Sequence, residues 1–186
     1  QAPVIGAAGA NATIECTATP SFTAPTASDA CNTVTVQQIG SDVTGGTSCA
    51  KTTTRTWIAV DACGNSSSTV SQTITQVDTQ APVIGAAGAN ATIECTATPS
   101  FTAPTASDAC NTVTVQQIGS DVTGGNNCAR TTTRTWIAVD ACGNSSNTVS
   151  QTITQVDTQA PVIGSAGADA TIECTATPSF TAPTAS

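Results

Sequence analysis

Apolar and polar residues alternate along this chain with a period of two, in runs of four to nine residues, and no 3.6-residue stripe appears. Ala12-Thr13-Ile14-Glu15-Cys16 sets Ala12, Ile14 and Cys16 on one face and Thr13 and Glu15 on the other. The strongest run, Thr52 to Val60, places Arg55, Trp57 and Ala59 on one side and Thr56, Ile58 and Val60 on the other. Thr33 to Ile39 and Thr69 to Val77 read as strands from their β-branched content, and Pro3-Val4-Ile5 as a short edge strand. Gly6 to Asn11, Gly40 to Gly46 and Asp61 to Asn65 supply turns, with a short strand expected at Asp42–Thr44. Thr17 to Ala30, rich in Pro, Ser and Thr, predicts a long irregular crossing. Gln72 and Gln76 share the parity of Ile74, which requires buried, hydrogen-bonded amides or a bulge. Six or seven short strands with frequent turn signals predict an all-β, two-sheet sandwich.

That pattern recurs every 79 residues almost letter for letter. Residues 1–79 and 80–158 form two whole repeats, and 159–186 the first part of a third. The two whole repeats differ only at Thr47/Asn126, Ser48/Asn127, Lys51/Arg130 and Ser68/Asn147. A unit of this length is too long for a solenoid repeat and suits a small module that folds as its own bead. The array is expected to continue beyond both ends, with export and anchoring signals elsewhere. No apolar run is long enough to span a bilayer. The last strand reaches Val77 and Pro82 opens the next repeat, so the short, proline-stiffened connection predicts an extended rod.

Only 9% of the residues are charged and the net charge is −8, with the acids scattered. No basic stripe is present, which argues against a nucleic-acid partner. Aromatics make up 3%, so the core is thin, and four cysteines per repeat are expected to reinforce it as disulfides in an oxidising, extracytoplasmic setting. Zinc would need close cysteine pairs, whereas here 14, 17 and 13 residues intervene and histidine is absent. The ninth cysteine, Cys174, is expected to find its partner beyond Ser186.

The junction sequence DTQAPVI, the segment FTAPTASDAC at 22–31 and TRTWIAVDACGNSS at 54–67 resemble hyalin-type (HYR) repeats. They are most similar to the HYR-like repeats of giant Bacteroidetes cell-surface adhesins, including the gliding-motility adhesin of the SprB type. The resemblance covers the whole fragment. It implies immunoglobulin-like or fibronectin-III-like sandwiches, tandem display at the outer surface of a bacterium, and a part in adhesion or gliding. Export by the type IX system with a C-terminal sorting domain is implied in the same way. In such a sandwich the loops carrying the two Asp-Ala-Cys triplets lie at one end, which implies Cys31–Cys63 and, with it, Cys16–Cys49. The second repeat would then hold Cys110–Cys142 and Cys95–Cys128. The sequence by itself admits three connectivities per repeat.

The favoured pairing would bring Asp29 towards Asp61, with Asn65, or Asp78 from the junction, as a further oxygen ligand. These and their copies Asp108, Asp140 and Asp157 are the weak candidates for a Ca²⁺ site, set against the commoner role of Asp in capping turns. No other cofactor is expected. Trp57 and Trp136 are expected in the core rather than on a sugar-stacking surface, and Lys51/Arg130 and Arg55/Arg134 solvated along a strand edge. Without histidine there is no Ser-His or Cys-His pair, and the fragment is not expected to be an enzyme. The expected role is a structural and adhesive stalk whose contacts with an extracellular surface, polysaccharide or other cells are made outside these residues. Two alternatives stand: a self-associating subunit of a fibre or sheath, and spacer repeats in a secreted hydrolase.

Overall fold

The computed structural model describes all 186 residues and contains strands as its only regular elements. Repeat 1 holds β1 (Val4–Ile5), β2 (Ala12–Glu15), β3 (Ala27–Ser28), β4 (Val34–Gln38), β5 (Val43–Thr47), β6 (Ala50–Asp61) and β7 (Val70–Val77). The larger sheet has the order β2-β7-β6-β4, and β5 joins the same edge of β6 as β4. β6 is long enough to take both: β5 pairs with Ala50–Thr54 and β4 with Trp57–Asp61. The second layer is the small antiparallel ribbon β1–β3, prolonged by Gly6 N–H to Thr26 O at 2.7 Å and Gly9 N–H to Thr23 O at 3.1 Å. The crossing from Thr17 to Ala30 is therefore less irregular than its composition predicts.

The core lies between these layers and is small. Trp57, Ala59 and Ile74 are buried in it, with Pro3 and Pro25 buried from the second layer and the crossing. Phe22 meets Trp57 edge-on, with ring centroids 6.4 Å apart. Arg55 is not simply solvated: its guanidinium stacks 4.4 Å above Phe22 and grips Asp42 through Nε and Nη2 at 2.8 and 2.7 Å. Gln72 is buried rather than displaced by a bulge. Its Oε1 accepts from Thr23 N–H at 2.8 Å and its Nε2 donates to Ala10 O at 2.7 Å, so the amide ties the second layer to the sheet.

Repeat 2 reproduces this topology with β8 (Val83–Ile84), β9 (Ala91–Glu94), β10 (Ala106–Ser107), β11 (Val113–Gln117), β12 (Val122–Asn126), β13 (Ala129–Asp140) and β14 (Val149–Val156). Residues 159–186 form one isolated bridge, Ile163 to Ala185, and are exposed.

One topological detail positions everything that follows. β2 runs parallel to β7, with Glu15 opposite Val77, while β6 runs antiparallel with Ala50 opposite Val77. Cys16, Cys49 and the start of the linker thus gather at one end of the repeat, its trailing end. β4 and β6 meet at Val34 and Asp61, which sets Cys31 and Cys63 at the opposite, leading end.

Candidate functional site: the repeat junction

At the trailing end of repeat 1, Cys16 N–H donates to Val77 O at 2.7 Å, which anchors the cysteine beside the linker. Cys49 sits in the tight turn between β5 and β6, which Gly46 makes possible with φ +85°. At the leading end of repeat 2, Asp108 Oδ1 accepts from the N–H groups of Cys110 and Asn111 at 2.8 and 3.0 Å. Asp140, at the end of β13, accepts Cys142 N–H at 2.8 Å, Asn144 N–H at 2.9 Å and Asn144 Nδ2 at 2.8 Å. Both cysteines are held out on turns capped by an aspartate two residues before them.

The two ends are joined covalently. Cys16 of repeat 1 bonds Cys110 of repeat 2, and Cys49 bonds Cys142, with Cα–Cα distances of 6.0 and 5.4 Å, inside the normal disulfide range. Around the bridges, Asn111 Nδ2 donates to Asp78 Oδ2, and Asn144 Nδ2 to the Asp78 carbonyl at 3.3 Å. Asp78 is only 7% exposed there, whereas Asp157, its copy one repeat later, is exposed. That contrast within one chain measures what docking of a leading end does.

The pairing within repeats is therefore corrected. Neither Cys31–Cys63 nor Cys16–Cys49 forms, and neither do Cys110–Cys142 and Cys95–Cys128; Cys31, Cys63, Cys95, Cys128 and Cys174 are free and exposed. Cys16 and Cys49 share an end, but Cys16 directly follows β2 and Cys49 directly precedes β6, with β7 between those strands. Two strand spacings amount to about 10 Å, beyond the ~7 Å that a disulfide can span. The same geometry separates Cys95 from Cys128. Cys31 and Cys63 do share the leading end, and Asn32 Nδ2 reaches Cys63 Sγ at 3.5 Å. In repeat 2, however, those two positions each face a cysteine of the preceding repeat.

The aspartates act as turn caps. Asp29 accepts from Cys31 and Asn32 N–H, and Asp61 from Cys63 N–H, Asn65 N–H and Asn65 Nδ2. The Asn65 side chain, helped by backbone N–H groups and opposed by burial, holds the Asp61 carboxyl below its usual range. At Asp140 burial pushes upward, but the Asn144 amide and the N–H groups of Asn144, Cys142 and Gly143 outweigh it and the net shift is down.

Groups of metal-binding size form only around Asp78, once with Asp140 and Cys142 and once with Cys16 and Cys110. Every sulfur in them belongs to a disulfide. Two carboxylates remain, Asp78 and Asp140, and both already accept N–H groups.

A model of the HYR-like domain with 4 cysteines matches residues 4–75 and 83–154. The chain belongs to this family. Each matched HYR-like domain carries its four cysteines as two at the leading and two at the trailing end, so the junction takes two from each neighbour. HYR-like domains are extracellular repeats of adhesive and structural kind, and no helix of this chain is long and apolar enough to cross a membrane. No curated protein matches the chain. Among solved structures, Drosophila N-cadherin EC1-3 aligns over 84% of this chain and 68% of its own, with 15% identity and a TM-score of 0.30.

The junction residue Asn111 was not singled out by sequence reasoning, and Asn144 only through its copy Asn65 as a possible ligand. A usable signal was present: each leading-end cysteine is followed by Asn within two residues, Cys110-Asn111 and Cys142-Gly143-Asn144.

Proposed function

We propose that this chain is a length of stalk in a bacterial cell-surface adhesin serving attachment or gliding, of the SprB-like kind. The observation that carries the reading is the double covalent bridge between successive near-identical repeats, which has no use in a single-site binding module. Its role is to set reach and direction; ligand contacts with a surface, polysaccharide or neighbouring cell would be made elsewhere in the parent protein.

Small-angle scattering of the oxidised monomer tests it. The twelve residues of β6 alone span about 40 Å, so two bridged repeats in line approach ~80 Å. The expected radius of gyration is well above the ~16 Å of a compact chain of this length. A value near 16 Å would contradict the stalk, and a mass that grows with concentration into ordered filaments would favour a fibre or sheath subunit instead.

A further inference from the structure

We infer that the two junction disulfides carry tension, forming a duplicate covalent bypass that keeps the repeats from paying out chain when the stalk is pulled. The inference rests on the stalk reading for its biological setting, but its physical content follows from connectivity alone.

The bridge Cys16–Cys110 closes a loop of 94 residues and Cys49–Cys142 one of 93. The shortest covalent route from Gln1 to Ser186 follows the chain to Cys16, crosses to Cys110 and continues to the end. It omits residues 17–109, a sequence separation of 94. A second route, through Cys49 and Cys142, omits residues 50–141, a sequence separation of 93. The loops overlap, so the two savings do not add. Either bridge alone therefore removes nearly the same length from the loaded path, and the second is a spare.

The strands show why this arrangement also suits a longer run of repeats. Cys49 and Cys63 lie just beyond the two ends of β6, and Cys128 and Cys142 just beyond those of β13. The Cys49–Cys142 bridge joins the start of β6 to the end of β13, putting two twelve-residue extended strands into one covalent line. Where a repeat is bridged on both sides, its three tethers are 16–31, 31–49 and 49–63, of 15, 18 and 14 residues. Drawn straight they reach about 50–65 Å, against ~40 Å already spanned by β6. An unlatched repeat of 79 residues would extend to about 260–285 Å. A core whose one buried aromatic is Trp57, with Ile74, Ala59 and two prolines around it, is a weak brace against force, and the bypass makes its strength irrelevant to the length of the stalk.

The test is single-molecule pulling of the full chain by its termini, reading fully stretched contour length, a quantity that does not depend on how stably the repeats fold. Complete reduction of the parent should add about 310–340 Å, the extended length of 94 residues. The pair Cys16→Ser with Cys110→Ser, and separately Cys49→Ser with Cys142→Ser, should each match the oxidised parent to within about one residue, or ~3.5 Å. Replacing all four should give the reduced length without reductant. The inference is overturned if the oxidised parent already stretches to the reduced length, or if losing one bridge alone releases some 300 Å. An extensible chain that still scatters as a long particle would discard the bypass and leave the stalk standing; a compact particle that resists extension would do the reverse.

Discussion

Trp57→Ala is expected to cost repeat 1 about 3–5 kcal/mol, the usual loss when a buried aromatic is truncated to alanine. The side chain is 5% exposed and is the largest buried apolar group in its repeat, where only Ile74, Ala59, Pro3 and Pro25 are buried beside it. It also supports Phe22, whose ring carries Arg55, which in turn holds Asp42. Small domains have about 5–15 kcal/mol in total, so this loss would leave repeat 1 near its folding limit. Calorimetry should show its transition move down by more than ~10 °C. Repeat 2 supplies the internal control, because Trp136 sits in the same environment and is untouched. Trp57→Phe, which keeps an aromatic in place, should lose much less. A shift of only a degree or two for Trp57→Ala would mean that the apolar core contributes little and the covalent frame almost everything.

Gly46→Ala is expected to be nearly as damaging, and for a backbone reason. Gly46 has φ +85°, a region that costs an L-residue about 1–2 kcal/mol. Beyond that, a Cβ there would overlap the Ala50 carbonyl oxygen and come within 3.1 Å of Thr52 N, atoms of the adjoining strand that no rotamer change can move aside. The β5–β6 turn must open, and this turn holds Cys49. Urea unfolding should show a loss of at least ~3 kcal/mol, and thiol titration should find Cys49 partly unbridged. Gly64→Ala separates the two contributions, since Gly64 has φ +86° but nothing within 4 Å of its Cβ position. It should lose only the conformational share. Equal losses at the two positions would refute the clash.

The strands and their faces were legible because half-buried sheets write themselves into period-two alternation. Trp57 and Ala59 were placed on one face by that rule and are buried together. Gln72 illustrates a useful ambiguity: its apolar parity signalled either a bulge or a satisfied amide, and only the position of Thr23 and Ala10 in space decides. The cysteine pairing was not legible. An even count per repeat is satisfied equally by bonds within a unit and by bonds from each unit to the next, because translation by one period conserves the count. What decides is that β7 separates β2 from β6, and that β2 runs parallel to β7, a relation between distant segments with no local signature. The calcium candidates were read through the same pairing, and in the structure Asp29 and Asp61 each cap the turn of the cysteine two residues on.

The four differences between the repeats make a direct assay of the junction possible. Trypsin combined with a protease that cuts before aspartate leaves Cys49 in residues 42–51, DVTGGTSCAK, and its copy Cys128 in 121–130, DVTGGNNCAR. Cys63 and Cys142 fall in 61–77 and 140–156, told apart by Ser68 and Asn147. Digested without reduction, the oxidised monomer should yield peptide 42–51 disulfide-linked to 140–156. Recovery of 42–51 linked instead to the Cys16 peptide, residues 1–28, would show that the bonds close within a repeat and would contradict the covalent junction on which this account rests.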